Sequence, residues 1–414
     1  MWGKKAFWIS LVGLLFLVVL HEPAFCATYY VPDDYPTIQA AVDATWGGET
    51  IIVRAGTYTG EGNKNITINK IITIKSEEGP ENTIIDCEGV GRGVSFTNVS
   101  NLTVLDGFKI INGSVAGTEP YGGGIYCSSA SPQISNCIIN DNSAGGTGGG
   151  IYSTGGTPSF TNCIINDNSA GGTGGGVYTS SGGTFSNCII NDNTAGNTGG
   201  GIYSTGTLSF TNCTIISNST GNNGGGICSY GGAFTNCAIT GNSATGNGGG
   251  IYIGGGAHSF TNCTFAWNNA KSGGGLYSRS SSYTYIRNSI FYFDSALQEI
   301  YSAAGTITIT YSDIMGGYTG EGNIDENPEF VAGGDFHLSA LSPCIDTASP
   351  DNAPDSDLDD ELRPAGEGYD MGADEFDGIP APPPLTPSRA DLNNDGVVDG
   401  LDVALFAAEF GRAQ

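Results

Sequence analysis

Two sets of acidic residues have spacings that could do chemistry. Asp391, Asn393, Asp395, Asp399 and Asp402 fall at positions 1, 3, 5, 9 and 12 of a loop, with Gly396 at 6 and the Val397 carbonyl at 7. Hard oxygens at alternate positions converge on one ion when the loop curls, and the glycine permits the sharp turn. This is the pattern of a Ca2+ loop. Val403, Leu405, Phe406 and Phe410 follow and can form the apolar face of a short helix. The second set is Asp141, Asp167 and Asp192, each inside an Asn-Asp-Asn triplet. If these triplets stack in register, their carboxylates stand roughly 5 Å apart. Repulsion must then be offset by solvent, a cation or a raised pKa. The three are candidate ligand or cation residues, and paired carboxylates also serve glycoside hydrolysis.

The elements that would position the second set form a repeat. Gly-Gly-Gly occurs at 122–124, 148–150, 174–176, 199–201, 224–226, 248–250 and 273–275. An aliphatic residue follows each triplet, then Tyr in every unit except at Cys228. An Asn-Cys pair comes next: Asn136-Cys137, Asn162-Cys163, Asn187-Cys188, Asn212-Cys213, Asn236-Cys237 and Asn262-Cys263, closed by Asn288-Ser289. Five residues past each Cys stands another Asn, at 142, 168, 193, 218, 242 and 268. The units lack 3.6-residue periodicity and show short β-rich segments broken by Gly, Asn and Ser. One unit cannot bury its own apolar face, whereas stacked units can. The spacing therefore predicts a right-handed parallel β-helix, regular over 122–290, with Phe160, Cys163 and Ile165 pointing inward. The Asn and Gly columns suit turns and amide ladders. The Cys column suits buried thiols, because in-register Cβ vectors run parallel at a distance longer than a disulfide prefers. The Tyr column reads as a structural ladder.

Of 414 residues, 67 are glycine, more than twice the ordinary share. There is no Gly-X-Y period, so collagen is excluded. The net charge of −27 argues against nucleic acid as a partner. Residues 1–27 have the form of a secretory signal: Lys4 and Lys5, an apolar run from Ala6 to Leu20, and small residues around Ala24–Ala27. The run is short for a membrane span, and the mature protein is expected to have none. Residues 28–376 read as the β-helix. An amphipathic helix near Thr37–Ala44 would cover its first end, and a cap at about 323–376 would close it. Residues 377–388 read as a proline-rich linker and 389–414 as the calcium module. Ten cysteines remain after signal removal.

The calcium segment resembles a type I dockerin repeat, an EF-hand-like module; aspartate at position 12 suits that family. One repeat is present where the family usually carries two. The resemblance implies Ca2+ binding at Asp391, Asn393, Asp395, Val397, Asp399 and Asp402, and a cohesin-like partner. The start, repeats and cap together resemble the pectin-lyase-like superfamily, especially secreted bacterial proteins with an S-P-C-I-D…R-P…D-x-G-A-x-E ending, here 342–346, 363–364 and 370–375. That superfamily includes lyases, hydrolases and adhesins. A lyase needs a base, usually Arg or Lys in this fold, but between Gly93 and Ala270 Lys109 is the single basic side chain. Arg279, Arg287 and Lys271 come late. No Ser/His/Asp set appears; the histidines are His21, His258 and His337. A further acidic run, Asp355, Asp357, Asp359, Asp360 and Glu361, is a weaker calcium candidate without the loop's glycine. The leading expectation is a secreted, cell-surface or polysaccharide-associated β-helix scaffold that binds or displays, attached through its calcium module. The alternatives are a polysaccharide lyase or glycoside hydrolase, and a structural adhesin or surface-layer protein.

Overall fold

The structure, a computed structural model, describes residues 27–279, 282–331 and 336–378. Apart from Ala27, Asp377 and Gly378, the export signal, the linker and the calcium loop lie outside these residues.

Each rung is built from short strands joined at tight corners. In one rung, Ile151–Thr154 is followed by Ser159–Thr161, a corner at Asn162, Ile164–Asn166, a corner at Asp167, and Ser169–Ala170. Both corner residues are left-handed, with φ 52° and 54°. The next rung repeats the path in register, pairing Ile151 with Val177, Phe160 with Phe185 and Ile165 with Ile190, always parallel. The strands form sheets of 20, 10 and 6 members. The molecule is an all-β, right-handed parallel β-helix.

Alternation along each strand sends one set of side chains inward. Phe160, Phe185, Phe210, Phe234 and Phe260 stack through the core with centroids 4.6–5.1 Å apart. The tyrosines stack likewise outside, Tyr152 on Tyr178 at 4.9 Å. The expected thiol column is present, and the ten described cysteines are buried. Cys213 and Cys237 donate to the carbonyls of Thr211 and Thr235 at 3.2 Å. Burial pushes the thiols of Cys87, Cys127 and Cys228 up to about 12. Since thiolate is the reactive form, these three should resist a thiol reagent in native protein and react after denaturation. Fast labelling of any of the three without denaturant would contradict this packing.

The two asparagine columns do different work. The Asn-Cys asparagines sit at a left-handed corner, for instance Asn187 and Asn212 at φ 53° and 52°. The second column is buried and outside the left-handed region. Asn142, Asn168, Asn193, Asn218, Asn242 and Asn268 form a continuous ladder, each Oδ1 after the first accepting from the backbone N–H and Nδ2 of the asparagine before it, and Asn142 Oδ1 from the Gly113 N–H. The glycine triplets also divide their labour. Gly199 needs its φ of 68°. Gly200 needs space, because a Cβ there would lie 2.3 Å from the Gly225 carbonyl oxygen.

The helix Ile38–Ala44 covers the first end. Thr37 caps it by accepting from the Ala40 N–H at 3.2 Å, and Ile38, Ala41 and Val42 are buried. At the far end the chain leaves the coil and returns along its outside. Asn212 donates to Asp360, Asn236 to the Ser356 carbonyl, Asn262 to the Asp370 carbonyl and Asn288 to the Ser349 carbonyl. The Ala373 N–H donates to Thr264 Oγ1 at 2.9 Å. Among the described residues, no helix is long and apolar enough to cross a membrane.

Candidate functional site

The returning cap divides the outer face beside the asparagine corner. Ala238 and Thr264 are fully covered, while Ile189, in the same outward row, is 37% exposed. Ile138, Ile164 and Ile189 form one row, buried at Ile138 and opening toward Ile189, and Asn140, Asn166 and Asn191 form the next. The corner just beyond carries Asp141, Asp167 and Asp192, all at φ 54°. The structure therefore brings the three predicted aspartates into one column, which rises about 10 Å over its three rungs. Asp141 and Asp167 are exposed and Asp192 is half-buried.

The asparagine row was not singled out from the sequence, although it is the first letter of each Asn-Asp-Asn triplet. Asn166 and Asn191 each donate Nδ2 to the following aspartate's Oδ2 at 2.8 Å. The Oδ1 atoms of Asn140, Asn166 and Asn191 are buried and accept no hydrogen bond from the protein. Partial burial raises the Asp167 carboxyl above its ordinary value, and the charges of Asp192 and Asp141 raise it further. Burial also raises Asp192, against the Asn191 hydrogen bond that lowers it. The face thus presents a column of carboxylates pitched at the rung spacing, with the asparagine Oδ1 atoms buried beneath it and Ile189 exposed beside it. It can accept hydrogen bonds from hydroxyl groups or contribute oxygens to a cation.

Lys109 and the described histidines have partners of their own. Lys109 precedes Ile138 in the same outward row, and its ammonium is 3.9 Å from Glu81. His258 is buried, shares a hydrogen bond with Ser229 at 2.8 Å and is pushed down to about 4 by burial. His337 lies in the cap, bonded to Asp359. Farther along the aspartate corner the column changes to Ser217, Gly241, Trp267 and Phe293. The last two stack at 6.0 Å, and Phe330 leans on Trp267 at 5.6 Å. The acidic run at 355–361 does not converge on one point. Asp357 is buried and accepts the N–H groups of Asp359, Glu361 and Glu375, while Asp360 turns to Asn212. The calcium-loop ligands lie outside the described residues.

Comparison with known proteins agrees with this architecture. A family described as "Right handed beta helix region" matches residues 80–244. No curated protein matches the chain. Among solved structures, the chain is similar to pectate lyase Pel9A at 16% identity, covering 84% of this chain and 96% of that one with a TM-score of 0.52. It is also similar to a deglycosylated pectin methylesterase from Aspergillus niger, at 16% identity over 74% of this chain and 91% of that one, TM-score 0.35. At such identity the first likeness speaks for the fold. The chain is a right-handed parallel β-helix protein.

Proposed function

We propose that this is an exported β-helix binding protein that holds an extended polysaccharide along its open outer face. The observation that carries this is the three-rung column of the Asp141, Asp167 and Asp192 carboxylates, with Ile189 exposed beside it. Carbohydrate recognition combines hydroxyl-directed acceptors with apolar surface, and an acceptor row at about 4.8 Å pitch suits a repeating chain. Pectate lyase Pel9A is an enzyme by its name; the fold it shares serves many functions and does not bring its activity here. The calcium segment at 389–414 would be the attachment module, with a cohesin-like partner, and residues 1–27 the export signal.

Binding should be measured against neutral and acidic polysaccharides with Ca2+ present. Asp167→Ala is expected to weaken binding of the preferred polymer about tenfold, roughly the worth of one charge-assisted hydrogen bond. No unsaturated or reducing ends should form. Product release by the unaltered protein, lost in Asp167→Ala, would overturn the binding role. One observation favours that enzymatic alternative: Lys109 stands in the strand row next to the rung of Asp141. Neither binding nor turnover would leave a structural surface role.

A further inference from the structure

The C-terminal cap holds most of its buried carboxylates with backbone N–H groups on both oxygens. Asp370 accepts from Asp346 on Oδ1 and from Phe376 on Oδ2, both at 2.7 Å. Asp357 is engaged in the same way. Glu375 accepts from Ala365 on Oε1 and from Asp370 and Arg363 on Oε2. Asp374 differs. It is 5% exposed, yet among the described residues a single hydrogen bond reaches its carboxylate, from the Leu338 N–H to Oδ2 at 2.7 Å. A carboxylate so largely withdrawn from water favours a charged or hydrogen-bonding partner beside it. His337 and Asp359 are placed to complete that partner's site. His337 Nε2 is 2.8 Å from Asp359 Oδ2, and one donor atom from each of His337, Asp359 and Asp374 lies within 4.8 Å of the other two.

We infer that His337, Asp359 and Asp374 form a binding site for a divalent transition-metal ion of the zinc type. An imidazole nitrogen with two carboxylates is a donor set such ions favour, whereas Ca2+ takes oxygen alone. A nitrogen and an oxygen 2.8 Å apart can both lie about 2.1 Å from one ion. Two carboxylates neutralise the ion's double charge. The His337 and Asp359 side chains are 37% and 49% exposed, which gives the ion a route in and leaves room for water in the remaining positions. The role follows from the cap's construction. Its own core is small, with Leu338, Cys344 and Met371 buried against Ile290. The three ligands come from three separate irregular segments. An ion binding all three would cross-link the cap where apolar packing is thin.

The test is calorimetric titration of the full-length protein with Zn2+, in Ca2+ sufficient to fill oxygen-only sites. One equivalent should bind, and Zn2+ should raise the unfolding midpoint. His337→Gln and Asp374→Asn should each weaken binding at least tenfold, while Asp391→Ala leaves it unchanged. If Asp374→Asn does not fold, as judged by circular dichroism, His337→Gln at a half-buried site decides. Absence of zinc binding to the unaltered protein, or equal affinity in His337→Gln, overturns the assignment.

Discussion

Asn193→Asp is expected to destabilise the coil by on the order of 4 kcal/mol, the scale of an uncompensated buried charge. Asn193 is fully buried. Its Oδ1 accepts from the N–H and Nδ2 of Asn168, both at 3.0 Å. Its Nδ2 donates to the Ile165 carbonyl at 2.8 Å, the Asn191 carbonyl at 2.9 Å and Asn218 Oδ1 at 2.9 Å. Aspartate keeps the first function and reverses the second, placing an oxygen against three acceptors. Protonation would relieve one of the three contacts. Asn193→Ala should cost less, about 3 kcal/mol, because it leaves donors and acceptors unpaired without adding charge. Denaturant midpoints for the two variants check both the size and the order. An Asn193→Asp protein within about 0.5 kcal/mol of the parent, the ordinary scatter of surface changes, would contradict the ladder.

That ladder also marks how far the sequence could be read. The recurrence of Asn at 142, 168, 193, 218, 242 and 268 announces a column, and the Gly-Gly-Gly spacing announces the rung. What residue type alone does not tell is that these asparagines are buried, while the equally regular Asn162 and Asn187 sit at a left-handed corner. Asparagine suits both environments, so the neighbours decide. The aspartate column was legible because it shares the rung period. Its amide row, Asn140, Asn166 and Asn191, has the same period, and the aspartates beside it drew the attention. The path of the cap was not legible. It returns across the coil, so that Asp360 meets Asn212, and no periodicity encodes a contact between such distant residues. His337, Asp359 and Asp374 converge for the same non-periodic reason, from segments with little regular structure.

The end of the ladder yields the second large effect: Asp294→Asn should stabilise the protein at neutral pH by about 2 kcal/mol, within the range of a buried polar group gaining its partner. Asp294 follows Asn268 by one rung and takes the next ladder position. Its Oδ1 accepts from the Asn268 N–H at 2.6 Å and from Asn268 Nδ2 at 3.0 Å, as an asparagine's would. Its Oδ2 therefore stands where every other member carries the donating Nδ2. Glu299 lies beside it, accepting the Asp294 N–H on Oε1 at 3.1 Å. Asp294 Oδ2 and Glu299 Oε2 are both buried without a hydrogen-bond donor from elsewhere. Two such carboxyls are best satisfied by one shared proton. Burial, then the Glu299 charge, raises Asp294 well above the usual carboxylate range; burial raises Glu299 too, against the hydrogen bonds from Asp294. No Lys or Arg acts on either group; the amide of Asn268 faces Asp294, and the Tyr292 hydroxyl is within the field of Glu299. The sign follows directly. Above about pH 4, the unfolded carboxyls release protons that the folded pair retains. Stability therefore falls as pH rises toward the folded-state values. Asparagine supplies a permanent donor in place of the shared proton, so the gain should be largest near pH 7 and vanish near pH 3. Asp313 and Asp370, raised by burial to about 6 and about 7, slope the same way, so the variant should flatten the curve without levelling it. Denaturant midpoints for both proteins at pH 3, 5 and 7 are the measurement. An equal effect of Asp294→Asn at all three would mean that the pair does not share a proton.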